Sequence, residues 1–183
     1  MLSTSNEEMT EAQVAKRQRP PRSKEVRAVG EVLRTYAENG SFRSFSEGKL
    51  RVGKMPYRMV WHYNREYQLL LEIEASSLSF PGLLPGVRAG SAVHKDLRQF
   101  LKLFTSDEMP EHRRVDPNKG EILLIAKRGA LTLGISIKNG EYEYCTRRLI
   151  HIVQEVFMVF LNDGPYYEYR IEQLGLDPDV AWA

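Results

Sequence analysis

The chain has a single cysteine, Cys145, among its 183 residues, so no disulfide can form within it. No apolar run approaches the roughly 20 residues that span a bilayer, and the polar start of the sequence lacks the apolar core of a secretory signal. A strong charge of one sign is also missing, since the formal net charge is only +2. These absences predict a cytoplasmic protein that does not associate with membranes and is stabilised by its own core.

The small positive charge is concentrated near the N-terminus. Residues 1–24 contain five basic and three acidic side chains, which leaves the rest of the chain neutral. Pro20 and Pro21 interrupt this segment and favour polyproline backbone over a packed helix. We therefore expect residues 1–22 to form a flexible basic arm, either a solubilising tail or a contact for nucleic acid or an acidic partner.

Three segments have the spacing of amphipathic helices. Residues 23–39, 91–104 and 141–161 place apolar side chains every three or four positions. Ser23 and Ser91 stand at the start of the first two and carry the side-chain oxygen that is preferred at a helix N-cap.

Five segments have the character of strands, with apolar side chains in alternation or in short runs. Their bounds are 42–52, 57–63, 66–80, 121–127 and 130–138. Short connections within each group predict antiparallel pairing. The order α-β-β-β-α-β-β-α predicts an α+β two-layer sandwich, in which a five-stranded, mainly antiparallel sheet carries helices on one face. We expect a single domain over 23–164 and a partly packed tail over 165–183.

One strand pair followed by a long helix resembles a known family. The segments "GEILLIAKRGALTLGISIK" and "GEYEYCTRRLIHIVQEVFMVFL" are similar to the YbjN family of small bacterial proteins. The element order over about 25–161 also resembles the fold of class I type III secretion chaperones. The resemblance implies a non-enzymatic, homodimeric, cytoplasmic protein that binds or modulates other polypeptides. Those chaperones are usually acidic and this chain is not, which favours the YbjN-like alternative.

Residues 79–93, "SFPGLLPGVRAGSAV", form a glycine- and proline-rich stretch before the second helix. Such a loop can hold phosphate on the free N–H groups of a helix start, but neither glycine spacing supplies the lysine of a phosphate-binding loop. A structural connection is therefore the preferred interpretation. The apolar residues of this loop either fold back onto the sheet or form a dimer or partner contact. They are Phe80, Leu83, Leu84 and Val87.

Tyrosines and an arginine follow the last long helix. Tyr166, Tyr167, Tyr169 and Arg170 are of the types enriched at protein contact surfaces, and aromatic residues beside basic ones also stack on single-stranded nucleic acid. Together with the four apolar loop residues, they are the predicted interaction residues. The alternative is that the segment packs against its own domain.

No arrangement typical of catalysis or metal binding is present in the sequence. Cys145 and His151 point about 120° apart on one helix, and the histidines lack the spacing of a zinc site. We therefore expect no catalytic, cofactor or metal site, and a homodimeric module that binds an unknown polypeptide. Two alternatives remain open: a small-molecule pocket between sheet and helices, and a nucleic-acid contact through the basic arm.

Overall fold

The computed structural model describes residues 23–162 and 166–175. The helices in these ranges are α1 (Lys24–Glu38), α2 (Ala92–Lys102), α3 (Tyr142–Glu155) and α4 (Tyr166–Leu174). The strands are β1 (Ser44–Glu47), β2 (Lys54–Trp61), β3 (Arg65–Glu72), β4 (Ser77–Pro85), β5 (Gly120–Lys127) and β6 (Ala130–Ile137). A π-helix, Val156–Phe160, extends α3. The predicted arm, residues 1–22, and the end of the predicted tail lie outside the described residues.

The strands form one antiparallel sheet in the order β1-β2-β3-β4-β6-β5. This confirms the predicted α+β class and the antiparallel pairing. The predicted number of five strands is wrong, because segment 66–80 contains a turn at Ser76, whose φ is +46°. The predicted strand 42–52 is reduced to β1, and the tail adds α4, so the order becomes α-β-β-β-β-α-β-β-α-α.

Alternate side chains of the strands face the helices and form the core. They include Met55, Tyr57 and Met59 of β2, Leu69 and Leu71 of β3, and Leu131, Leu133 and Ile135 of β6, each at most 2 % exposed. The hydroxyl of Tyr57 donates to the Val26 carbonyl of α1 at 3.0 Å, which fixes α1 over this face. The other face carries small and polar side chains such as Gln68, Ser79 and Thr132.

The helices begin where the sequence predicts. The Ser23 hydroxyl accepts from the Val26 N–H at 3.4 Å, and the Ser91 hydroxyl accepts from the His94 N–H at 3.3 Å. Each hydroxyl satisfies a backbone donor that the first turn of a helix leaves unpaired. After α1 the chain turns at Gly40, whose φ is +76°.

The first half of the glycine-rich stretch 79–93 is strand, and its end begins helix α2. β4 continues to Pro85 through a bulge between Phe80 and Leu84, where the pairing with β6 shifts. In this bulge the Gly82 N–H donates to the Thr132 hydroxyl at 3.1 Å. Farther on, the Gly90 N–H donates to Nδ1 of His94 at 2.9 Å. These donors bond within the chain, in keeping with a structural connection.

Candidate functional site

Strand β5 is an edge of the sheet, and its hydrogen bonding shows which backbone groups face outward. At the end of β6, the Ile137 N–H donates to the Ser76 carbonyl on the β4 side, and the Lys138 N–H donates to the Lys119 carbonyl on the β5 side. Antiparallel pairing alternates between neighbours, residue by residue. The β5 residues whose N–H and C=O groups face away from β6 are therefore Ile122, Leu124 and Ala126.

A groove of about 310 Å³ lies between β5 and helix α2. Its apolar lining consists of Leu101 from α2 with Ile122 and Leu124 from β5. Leu101 is buried, whereas the two β5 side chains are only half-buried. The residues that direct free backbone groups outward thus also present apolar surface to the groove.

Helix α2 gives this groove a positively charged rim. Arg98 and Lys102 line it, and Lys95 continues the same exposed face one turn earlier. None of the three forms an ion pair with a carboxylate in the described part of the chain. Glu121 also lines the groove, but its carboxylate lies 3.5 Å from Nζ of Lys138. The groove therefore combines unpaired positive charge with apolar surface.

At Thr105 the groove adjoins a larger cleft of about 810 Å³, formed by segment 105–119 and the first half of α3. Its polar lining includes acidic and basic side chains and one histidine. The residues are Asp107, Glu111, His112, Arg114, Asp116, Lys119 and Arg148. Arg114 forms an ion pair with Asp107, so part of the charge is neutralised inside the cleft.

Tyr144 connects the cleft loop to helix α3. Its hydroxyl donates to the Arg114 carbonyl at 3.0 Å and accepts from the Asp116 N–H at 2.8 Å. Lys119 Nζ and Arg148 Cζ lie 4.9 Å and 4.8 Å from the centre of its ring, within the range of cation–π attraction. The ring thus holds two cations beside the end of the groove.

The four apolar residues of the predicted loop contact are part of the core. Phe80, Leu83, Leu84 and Val87 are 1, 4, 0 and 3 % exposed. The first three belong to β4, whose bulge turns both Leu83 and Leu84 inward. These four side chains fold back onto the sheet, which is the alternative to a partner contact. Their buried surface is not accessible to a partner.

The predicted contact residues near the C-terminus mostly fix α4 to the domain. The Tyr166 ring stacks on Phe160 at 4.7 Å between centroids, and its hydroxyl bonds to Asp96. The Tyr169 hydroxyl donates to the Pro85 carbonyl at 2.6 Å, and Arg170 is 3 % exposed. This geometry favours the packing alternative for these three residues. Tyr167, at 42 % exposed, is accessible, and its role in a partner contact stays a prediction.

Cys145 is a core thiol, as its place on the apolar side of α3 predicts. It is fully buried, and its Sγ donates to the Lys119 carbonyl at 3.2 Å. Burial raises the pKa of this thiol to about 12, so it stays protonated at neutral pH and is a poor nucleophile.

The groove residues are absent from the sequence-based prediction. The pattern of β5 and β6 predicts a hairpin, but which strand lies at the edge depends on the partner of β6 elsewhere in the chain. The one local signal is Arg98 and Lys102, a turn apart on the polar side of a helix whose apolar side is clear.

These features define a class of structure: an antiparallel sheet with helices on one face and an accessible edge strand beside a helix. No protein-family model, curated protein or solved structure matches this chain. The resemblance to YbjN and to class I secretion chaperones therefore stays a prediction. Among the described helices, none is long and apolar enough to cross a membrane.

Proposed function

We propose that this chain is a non-enzymatic, protein-binding module that takes up an extended polypeptide segment as an added strand on β5. The observation that carries the proposal is the position beside the groove of the β5 edge, which pairs with no other strand of the described residues. The outward N–H and C=O groups of Ile122, Leu124 and Ala126 are placed to pair with an added strand. Alternate side chains of that strand would enter the groove below it.

The exposure of the β5 edge is a second argument for a bound segment. Long apolar edge strands promote aggregation, and proteins usually protect them with charges, proline or a covering segment. The outward-bonding residues of β5 include no charge and no proline, and Ile125 between them is 50 % exposed. A segment that covers β5 would remove this liability.

The lining of the groove indicates the chemistry of the segment. On the groove-facing side of the added strand, apolar side chains would contact Leu101, Ile122 and Leu124, and acidic side chains would face Arg98 and Lys102. Complementary charge mainly increases the association rate and the selectivity of binding. The occupant is therefore an acidic and apolar extended segment of another protein.

The proposal is tested by fluorescence anisotropy with a labelled ten-residue valine–glutamate peptide, in which threonine alternates with either valine or glutamate, so that the valine and glutamate side chains point to the same face of the strand. We expect saturable binding, and at least tenfold weaker binding of the valine–lysine peptide. The Ala126→Pro variant removes one outward N–H and keeps the pairing with β6, because proline is tolerated on the free side of an edge strand. It should weaken binding at least tenfold, while circular dichroism shows an intact fold.

Two further variants separate the apolar and the charged contributions. Leu124→Asn keeps the backbone donor and removes apolar surface from the groove without adding a charge, so it should also weaken binding. The double change Arg98→Glu and Lys102→Glu should abolish the preference for the acidic peptide. Its matched control, Lys49→Glu and Arg51→Glu, changes two exposed cations at the other side of the sheet and should have no effect.

Two outcomes would contradict the proposal. One is binding of the acidic peptide that is equal in the wild type, Ala126→Pro and the charge-reversed variant. The other is a dimer in sedimentation that Ala126→Pro converts to a monomer, because the occupant of the edge would then be a second copy. The predicted homodimer is compatible with the proposal when it forms through another surface.

A further inference from the structure

Strands β3 and β4 separate before they reach the end of the sheet. They pair at Leu70–Ser79, Leu71–Leu78 and Glu72–Ser77. Toward Arg65 no pairing continues, and the β4 bulge stands opposite this unpaired part of β3. A cavity of about 60 Å³ lies there, lined by Arg65 and Tyr67 on one side and by the segment 80–83 on the other.

Two residues that line the cavity each have a buried polar group without a hydrogen-bond partner among the described residues. These groups are Nη1 of Arg65 and the hydroxyl of Tyr67. Tyr67 is 6 % exposed, and the guanidinium carbon of Arg65 lies 5.7 Å from the centre of its ring. A buried donor without a partner destabilises a protein, so each such group in a folded structure requires an explanation.

Both groups are hydrogen-bond donors at neutral pH. The guanidinium group of an arginine has five N–H donors and no acceptor. Burial raises the pKa of the Tyr67 hydroxyl above its usual range, so this group stays protonated. The ligand that satisfies the pair must therefore supply acceptor atoms.

The surrounding charge is positive. No carboxylate of the described residues forms an ion pair with Arg65. This includes the exposed Glu66, which also lines the cavity. Arg170 lies at the same end of β3, where it donates to the Tyr63 hydroxyl at 3.2 Å. Its Nε is also buried without a partner in the described part of the chain. This end of the sheet thus holds positive charge that no carboxylate of residues 23–162 and 166–175 pairs with.

We propose that the gap between β3 and β4 binds a small carboxylate, which accepts hydrogen bonds from the Arg65 guanidinium and the Tyr67 hydroxyl. A planar carboxylate matches the guanidinium fork and accepts strong, charge-assisted hydrogen bonds. One water needs about 10–15 Å³ on this scale of volume, so the cavity has room for a group the size of formate or acetate. Phe80 and Leu83 supply apolar walls for a methyl group. The site is independent of the groove at β5.

The test is thermal unfolding of the full chain at pH 7.5 with sodium acetate or sodium chloride, at constant ionic strength. A ligand that binds only the folded state raises Tm with the logarithm of its concentration. We expect acetate near saturation to raise Tm by about 2 °C or more, and chloride to have no such effect. Isothermal titration calorimetry with acetate should give one site per chain.

Matched variants give the test its specificity. Tyr67→Phe should remove the acetate-dependent rise and leave the Tm without acetate unchanged or higher, because it deletes an unsatisfied hydroxyl. The control Tyr169→Phe deletes a hydroxyl that bonds to the Pro85 carbonyl, so it should lower Tm and keep the acetate response. Arg65→Gln should also lose the acetate response. It is the variant to use if Tyr67→Phe does not fold.

Three results would overturn the proposal. The first is an equal rise of Tm with chloride, which indicates a general salt effect. The second is an acetate response that survives in both Arg65→Gln and Tyr67→Phe. The third is a Tm of Tyr67→Phe without acetate as low as that of Tyr169→Phe, because water would then already satisfy the hydroxyl.

Discussion

The imidazole ring of His62 is stacked on the phenyl ring of Phe157, with 4.9 Å between centroids and 22° between the planes. The indole of Trp61 lies against the same imidazole at 4.3 Å. Burial between these rings lowers the pKa of His62 from 6.5 to about 4. The folded protein therefore carries this histidine neutral at pH values where the unfolded chain protonates it.

The stacking of His62 predicts a loss of stability in mild acid. Above pH 6.5 the ring is neutral in both states, and its titration changes nothing. Between pH 6.5 and about 4 the unfolded chain binds a proton that the folded protein does not, so the free energy of unfolding falls as pH falls. The total loss is about 3 kcal/mol, measured by urea denaturation across this range.

The variant His62→Phe isolates this contribution. It keeps an aromatic ring in the stack and removes the titrating group, so its stability should change less between pH 6.5 and 4 than that of the wild type. His151, whose pKa is also lowered by burial, remains in both proteins and cancels from the difference. Parallel pH profiles of the variant and the wild type would contradict the assignment to His62.

Gly134 of β6 occupies a position where any larger side chain should lower the stability of the protein. A methyl group at this position would lie 2.6 Å from the Leu78 carbonyl oxygen and 3.0 Å from Cβ of Ser79, both on the paired strand β4. Backbone atoms inside a ladder cannot move aside without breaking hydrogen bonds. Gly134→Ala should therefore destabilise the protein by about 1–3 kcal/mol, seen as a lower urea midpoint.

Ser136→Ala is the control for Gly134→Ala, because it changes a residue on the same strand and the same face. It should move the urea midpoint much less. Equal midpoints for the wild type and Gly134→Ala would mean that β4 and β6 are less tightly paired at this point than the distances indicate.

The helices could be predicted closely from the sequence because their signals are local. Apolar spacing and the serine cap predict a helix over 23–39, and α1 spans Lys24–Glu38. The turn between β3 and β4 escaped prediction because it contains no glycine or proline, and Ser76 takes the positive φ instead. Conversely, Pro81 and Gly82 read as loop residues, although a bulge accommodates both within β4.

The candidate site was harder to predict than the fold, since it depends on contacts between distant segments. The sequence of the β5–β6 hairpin does not indicate which of its two strands pairs with β4. In the structure that strand is β6, which leaves β5 at the edge. The same holds for Arg65 and Tyr67, of which the sequence predicts the first in a turn and the second on the apolar face of strand 66–80. They become a site only because β4 leaves β3 at a bulge some 15 residues later in the chain.

The burial of Leu83 and Leu84 predicts the effect of changing them. These side chains are 4 % and 0 % exposed, so Leu84→Ala should lower the free energy of unfolding by about 2–5 kcal/mol. The double change to glutamate buries two charges and should abolish folding, as judged by circular dichroism. The exposed control, Tyr167→Glu, should stay within about 0.5 kcal/mol of the wild type. A folded double variant with a lower mass in sedimentation would instead make these leucines an interface.

Val52 stands at the tip of the turn that precedes β2, in a backbone conformation that a β-branched residue rarely adopts. Its φ is +47° and that of Gly53 is +69°, while Arg51 and Lys54 exchange both of their backbone hydrogen bonds. The side chain is 91 % exposed, so no packing offsets the strain. Asparagine followed by glycine is the preferred pair for such a turn. We therefore expect Val52→Asn to stabilise the protein by about 1 kcal/mol, measured as a higher urea midpoint.

The control for this change is Val52→Thr, which replaces an apolar surface with a polar one and keeps the branched Cβ. If backbone strain is the cause, threonine should give little of the gain that asparagine gives, because branching at Cβ and not polarity disfavours the positive φ. Equal gains from both variants would assign the effect to hydration of the exposed side chain. Since Val52 lies on the β1–β2 side of the sheet, the stabilised variant should bind the valine–glutamate peptide at β5 with unchanged affinity.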